Sequence, residues 1–159
     1  MTATSQDPGG VDTRPRGRGE VLIVDDDVGF ANGLAALLQA HGYRARVAYD
    51  GDQALQQLAT QSFDVVISDI VMPGMIGCTL VQAAHALPGR DGVPFVFMSV
   101  LTAEKVRSFF DSSIRYLQKP FDTGQLLTLL REATGSPPPV AARHGAAAEP
   151  SGIPQRRGR

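Results

Sequence analysis

Five times along this chain a short run of strand character gives way to a stretch with helical spacing. The clearest run is Val65-Val66-Ile67, within residues 63–69. It is β-branched and unbroken, as in a strand covered on both faces. Val21-Leu22-Ile23-Val24 and Pro94-Phe95-Val96-Phe97-Met98 read the same way. Residues 44–48 alternate weakly and give a further strand, and residues 114–118 give the fifth. Between them Phe30, Leu34, Leu37, Leu38 and His41 recur at helical spacing until Gly42. Ala54, Leu55 and Leu58 mark a second helix. Leu80, Val81, Ala84 and Leu87 mark a third, which begins at Gly77 or Cys78 and ends at Pro88-Gly89. A fourth is expected over residues 102–110, and a fifth carries Leu126, Leu127, Leu129 and Leu130 up to Gly135. Asp27, Asp50, Thr102 and Asp122 stand where N-caps belong. Strict strand–helix alternation predicts an α/β fold: a doubly wound, five-stranded parallel sheet with helices on both faces. The crossovers are expected to be right-handed.

The 159 residues suit one domain with tails. The domain is expected over residues 20–134. Residues 1–19 are Gly, Pro, Thr, Asp and Arg with few apolar side chains, so ordering them would not be offset by burial. Residues 135–159 carry Pro137-Pro138-Pro139, Ala-rich segments and Arg156-Arg157-Gly158-Arg159, a second disordered tail by composition. No output domain is expected after them. A net charge of -1 gives no bulk attraction to nucleic acid or to an anionic membrane. No apolar run approaches the roughly 18 residues of a membrane span. The N-terminus has no hydrophobic signal region, which makes a cytoplasmic protein the expectation. With one cysteine, Cys78, no internal disulfide can form, and a small buried hydrophobe is its expected role.

The ends of the strands carry the chemistry. Asp25-Asp26-Asp27 follows the first strand. Asp69 ends the third, and Met72-Pro73-Gly74 then forces a loop, because Pro cannot continue a ladder and Gly frees the backbone. Ser99 ends the fourth strand and Lys119 follows the fifth. In a parallel sheet these ends share one edge, where ligands of open α/β sheets bind. Adjacent carboxylates repel one another unless a cation sits among them. Such a cluster suits a hard divalent ion, and Mg²⁺ is the expected one. A carboxylate beside that ion can act as a nucleophile on phosphorus and become an aspartyl phosphate. Lys119 and the Ser99 hydroxyl are placed to neutralise and hydrogen-bond phosphoryl oxygens.

These segments resemble the response-regulator receiver domain of two-component signalling, over about residues 20–133. The resemblance rests on Val24-Asp25-Asp26-Asp27, on the run from Asp69 through Met72-Pro73-Gly74 to Gly77, on Phe97-Met98-Ser99, and on Tyr116-Leu117-Gln118-Lys119-Pro120-Phe121. It implies a flavodoxin-like strand order, 2-1-3-4-5. It implies that Asp69 accepts a phosphoryl group from a histidine kinase or phosphotransfer protein. Asp26, Asp69 and the backbone carbonyl of Val71 would hold Mg²⁺, with Asp25 acting largely through water. Ser99 and Tyr116 would form the switch pair, and the Lys119–Pro120 bond would be cis. The face made by the fourth helix, fifth strand and fifth helix would meet a downstream protein. Two positions depart from the family pattern. Val100 is bulkier than the small residue usual after the switch hydroxyl, and Ser112-Ser113 stands where Gly-Ala is common.

Two other readings compete. In a haloacid dehalogenase-type, Mg²⁺-dependent phosphohydrolase, Asp25 would be the nucleophile and Asp27 the acid/base. That pattern fails at Gly29, where Thr or Val is wanted. It lacks a late acidic pair on a strand after Lys119, and it leaves Asp69 unexplained. In a phosphorylation-independent binding scaffold the fold would be the same and the acidic site idle.

Overall fold

The computed structural model describes residues 18–110 and 114–135. In chain order its elements are β1 (Glu20–Val24), α1 (Val28–Ala40), β2 (Arg44–Ala48), α2 (Gly51–Thr60), β3 (Val65–Asp69), β4 (Val71–Met72), β5 (Met75–Ile76), α3 (Gly77–His85), β6 (Phe95–Ser99), α4 (Ala103–Arg107), β7 (Arg115–Gln118) and α5 (Thr123–Thr134). Five strands form one sheet in the order β2-β1-β3-β6-β7, and every pairing in it is parallel. This is the order that the family resemblance implies, within the doubly wound parallel sheet that strand–helix alternation predicts. The register opposes Val24 to Ser68, Asp69 to Met98, and Ser99 to Gln118. The polar strand ends therefore share one edge.

Alternation along the central strands builds two cores, because successive side chains point to opposite faces. Leu22, Val24, Val66 and Phe97 face a layer that includes Leu58, Leu80 and Val106. Val21, Ile23, Val65, Ile67, Val96 and Met98 face Leu34 and Leu38 of α1 and Leu126 and Leu130 of α5. Covering on both sides is why these strands contain so few polar residues. Each fully buried Val, Leu or Ile contributes about 1.5–3 kcal/mol. The edge strand β2 shows the converse. Arg44 and Arg46 stand on its open side, and Arg44 Nε pairs with Glu20 Oε1 at 2.6 Å.

The four expected side-chain caps are made. Asp27, Asp50, Thr102 and Asp122 each accept a backbone N–H at the start of α1, α2, α4 and α5. His41 closes α1, with its Nδ1 2.9 Å from the Leu37 carbonyl. Element ends differ in places. Helix α4 stops at Arg107 instead of running to residue 110. The Ser108 hydroxyl and amide both bond to the Lys105 carbonyl, and the amides of Phe109 and Phe110 both turn to Val106 O. The adjacent phenylalanines consequently part: Phe110 packs at a tilt against Phe97, 4.8 Å between centroids, while Phe109 is exposed. Helix α3 ends at His85, before Pro88-Gly89. Strand β3 starts at Val65, because Asp64 uses its carboxylate on the Glu20 amide at 2.7 Å. Cys78 is only partly buried. The expected tails, apart from residues 18, 19 and 135, and the Ser112-Ser113 pair lie outside the described residues. No helix among the described residues is long and apolar enough to cross a membrane.

Candidate functional site

The site starts from a buried acid. Asp25 follows β1 and is 1 % exposed. Both of its oxygens are used: Oδ1 accepts from the Asp27 amide at 2.9 Å, and Oδ2 accepts from Lys119 Nζ at 2.7 Å. Asp26, next along, is exposed. Asp27 turns away to the helix, where its Oδ1 accepts from Phe30 N at 2.9 Å. The acidic run thus splits by role within three residues.

Asp69 ends β3 at the same edge. Its Oδ1 accepts from the Val71 amide at 3.2 Å and its Oδ2 from Lys119 Nζ at 3.2 Å. One carboxylate oxygen from each of Asp25, Asp26 and Asp69 lies within 4.8 Å of the others. Lys119 is brought there by β7. Its amide donates to the Ser99 carbonyl at 2.8 Å, and the Lys119–Pro120 bond is cis. Its ammonium lies 4.2 Å from the centroid of the Phe30 ring.

The loop after Asp69 is more ordered than Met72-Pro73-Gly74 suggested. β4 and β5 pair as a two-stranded ribbon, Val71 with Ile76 and Met72 with Met75. Pro73 and Gly74 are its turn, and Gly74 takes the positive φ, 80°, that a type II turn requires after Pro. Met75 seats the ribbon on the start of α2, where a Cβ on Gly51 would collide with its sulfur. Two-residue strands are too short to show a period, so the ribbon left no pattern in the sequence.

The charges favour a bound cation. Burial pushes the Asp69 carboxyl above its ordinary range, against the pull of Lys119 and the Val71 amide. Burial alone would lower Lys119, but the hydrogen bond to Asp25 and the charges of Asp69 and Asp25 outweigh it, so the ammonium is held. Three carboxylates then face one ammonium. All-oxygen donors with an excess of negative charge fit a hard divalent ion better than a soft metal.

Ser99 and Tyr116 meet one loop from two strands. The buried Ser99 hydroxyl accepts from the Leu101 amide at 3.2 Å. The Tyr116 hydroxyl donates to the Leu101 carbonyl and lies 3.5 Å from the Ser99 carbonyl. Burial raises the Tyr116 pKa. Exposed apolar side chains follow these polar residues along the chain: Val28 after Asp27, Val71 two residues after Asp69 with Ile76 paired to it, and Val100 after Ser99. A concavity of about 540 Å³ lined by His85, Asp91, Phe95 and Arg115 lies at the opposite edge of the sheet, away from the three acids. Phe30 is the site residue that sequence reasoning missed. Its spacing marked it as a core-facing helix residue, and nothing in that pattern shows a lysine 89 positions on, at 119, against its ring.

Residues 21–131 match the family model described as the response regulator receiver domain. The chain belongs to that family. The receiver is 33% identical over 120 residues to the transcriptional regulatory protein ZraR of Salmonella typhimurium, a match covering 74% of this chain and 27% of ZraR. The chain therefore spans about a quarter of that relative's length. Among solved structures it resembles the chemotaxis protein CheY4 of Vibrio cholerae, with 31% identity, a TM-score of 0.65, and coverage of 72% of this chain and 97% of that one. It also resembles the receiver domain of the sensor histidine kinase PA1611 of Pseudomonas aeruginosa, at 26% identity and TM-score 0.66, covering 74% and 98%. That structure is described with a magnesium ion coordinated in its active-site cleft. Asp25, which a hydrolase reading would make the nucleophile, is 1 % exposed, while the Asp69 carboxylate at the same edge is the more open of the two.

Proposed function

We propose that Asp69 accepts a phosphoryl group from the phosphohistidine of a histidine kinase or phosphotransfer protein, in a Mg²⁺-dependent reaction. One observation carries this reading: Asp69 ends a buried strand within reach of both Lys119 Nζ and the other two acids. A bond forms from an Asp69 carboxylate oxygen to phosphorus as the donor's P–N bond breaks, and the electron pair leaves with the imidazole nitrogen. Asp26, Asp69 and the Val71 carbonyl would hold Mg²⁺, with Asp25 behind them through water. When bound, the ion supplies charge neutralisation at the phosphoryl oxygens. Lys119 supplies a second positive charge already in position, so little reorganisation is needed as negative charge develops. The chain's chemistry is confined to gain and loss of this group on Asp69.

Signalling follows from the loop that Ser99 and Tyr116 share. A phosphoryl oxygen accepts a hydrogen bond from the Ser99 hydroxyl, and swinging Oγ towards it draws Oγ away from the Leu101 amide that now donates to it. Moving that hydroxyl shifts the carbonyls on which Tyr116 rests, a two-state element biased by one local charge. The affected face, of α4, β7 and α5, carries a concavity of about 340 Å³ lined by Ala103, Val106, Arg107, Tyr116 and Leu129, among others. We assign the downstream contact to that face and the donor contact to the apolar rim around Asp69. Incubation with acetyl phosphate and Mg²⁺ tests the reading. Wild type is expected to take up one phosphoryl group and Asp69→Asn none; label that survives the substitution removes Asp69 from the role.

A further inference from the structure

The ring of Phe30 stands against the ammonium that the proposed phosphorylation depends on. Nζ of Lys119 lies 4.2 Å from the Phe30 centroid, within the roughly 6 Å over which a cation is attracted to an aromatic face. The ring does not float. Phe121 meets it edge-on at 6.3 Å, and the Phe30 amide is tied to Asp27 Oδ1. The contacts close into a circuit. Asp25 holds the Asp27 amide, Asp27 caps Phe30, Phe30 faces Lys119, and Lys119 returns to Asp25. A lysine on a four-carbon stem has many rotamers, and fixing it costs up to about 2 kcal/mol of side-chain entropy. Two carboxylates and a ring restrict that freedom.

We propose that Phe30 is a positioning residue for phosphoryl-group stabilisation. Its ring face holds the Lys119 ammonium at the Asp69 side of the site, so that the charge is in place when the phosphoryl group arrives. The proposal rests on the assignment of Asp69 as phosphoacceptor. The ring touches no reacting atom; it acts through Lys119. A merely structural Phe would serve through its size and apolarity. A positioning Phe serves through the negative face of its ring, which fluorine substitution withdraws at nearly constant volume.

The test is beryllofluoride affinity in the presence of Mg²⁺, measured on the full chain with mono-, di- and trifluorophenylalanine at position 30. Affinity is expected to fall in steps with fluorine count, by about three- to tenfold over the series. Phe30→Tyr keeps the ring face and is expected to stay near wild type, while Phe30→Leu falls at least as far as the trifluoro variant. In a Lys119→Met background the fluorine series is expected to be flat. A flat series in wild-type background, or an equal decline without the ammonium, overturns the proposal. Unsubstituted protein serves as the control for the parent reading. If it fails to bind beryllofluoride with Mg²⁺, the assignment of Asp69 falls and Phe30's role with it. If it binds and fluorination changes nothing, only Phe30's role is lost.

Discussion

Lys119 is shared unequally between two acids: its Nζ lies 2.7 Å from Asp25 Oδ2 and 3.2 Å from Asp69 Oδ2. On the proposed assignment, the inequality separates a fixed partner from the phosphoacceptor. Asp25 is buried and makes the shorter bond, so it anchors the amine. Asp69 keeps the looser bond and the more accessible carboxylate. A phosphoryl group on Asp69 would bring new oxygens to an ammonium already held between the two acids.

Lys119→Met is therefore expected to slow phosphorylation by acetyl phosphate about a hundredfold, the usual cost of one preorganised charge donor. Mg²⁺ should still bind, because the three carboxylates remain. The check is the initial rate of label uptake at saturating Mg²⁺. A rate within twofold of wild type, roughly the scatter expected when no donor is lost, removes Lys119 from charge stabilisation.

Asp69 also predicts a stability change with a definite sign. Burial raises its folded-state pKa above the ordinary 3.8, so the folded protein binds this proton more tightly than the unfolded chain does. Its contribution is complete below the unfolded value and is lost as pH rises through the raised folded value. At neutral pH without metal, Asp69→Asn should therefore melt higher than wild type. The gap should close as pH falls towards about 4, and Mg²⁺ should narrow it at neutral pH. Lys119 does not confound this, because the stability that its raised pKa contributes is fully present below 10.5, its ordinary value, and is lost only above it. Thermal midpoints in a chelating buffer across that acid-to-neutral range decide the matter.

Asp27 belongs to the helix rather than to the ion. Its carboxylate caps α1 through Phe30 N at 2.9 Å. Asp27→Ala should cost about 1 kcal/mol of stability and leave Mg²⁺ affinity unchanged, whereas Asp26→Asn should weaken Mg²⁺ and spare the fold. Paired urea and Mg²⁺ titrations separate the two. Loss of Mg²⁺ binding in a folded Asp27→Ala protein contradicts the division of the acidic run.

Much of this was legible because the relevant patterns are local. Val21 to Val24 and Val65 to Ile67 are apolar on both faces, which marks central parallel strands and hence the edge where their C-terminal acids gather. Caps at Asp27, Asp50 and Asp122 follow from side-chain chemistry within three residues. What stayed hidden was set by tertiary contact. The Val71–Ile76 ribbon is held by Met75 on Gly51, between segments that carry no shared pattern. The early stop of α4 is the local exception: the amides of Ser108 and Phe109 close three-residue bonds on the carbonyls of Lys105 and Val106, which helical spacing does not display. Phe30 on Lys119 joins the first helix to the residue after the last strand, a relation no window of sequence contains.

Beryllofluoride should mark the switch at a single amide. The Leu101 N–H now bonds to Ser99 Oγ at 3.2 Å. If the hydroxyl turns to a phosphoryl-like oxygen, that amide loses its acceptor and should exchange faster. Amides of β7 around Tyr116 should change with it, because the tyrosine hydroxyl rests on the same loop's carbonyls. Hydrogen exchange with and without beryllofluoride reads both. No change at Leu101 or around Tyr116 argues against coupling through Ser99.

The apolar flank of Asp69 predicts a long-lived phosphoryl group. Hydrolysis needs a water in line with the Asp69 oxygen, and a polar side chain nearby can hold it there. Val71, two residues after the acceptor, has no group to do so. It is 58 % exposed at the mouth of the site, and Val100 stands exposed in the loop after Ser99. Leu101, two residues after the hydroxyl, is also apolar, but it packs in part against the core, so Val71 is the larger exposed flank. Phosphorylated wild type should therefore decay slowly after donor removal. Val71→Asn should speed decay by about tenfold, within the range that water orientation supplies, and adding Leu101→Glu should give a smaller further increase. The measurement is the loss of label with time in excess Mg²⁺. Slow decay suits a receiver that stores its state or passes the group onward, and a brief signal would then need a separate phosphatase to bring the missing polar group. Equal decay in wild type and the double variant would mean that these side chains do not control the water, and the storage argument would go with them.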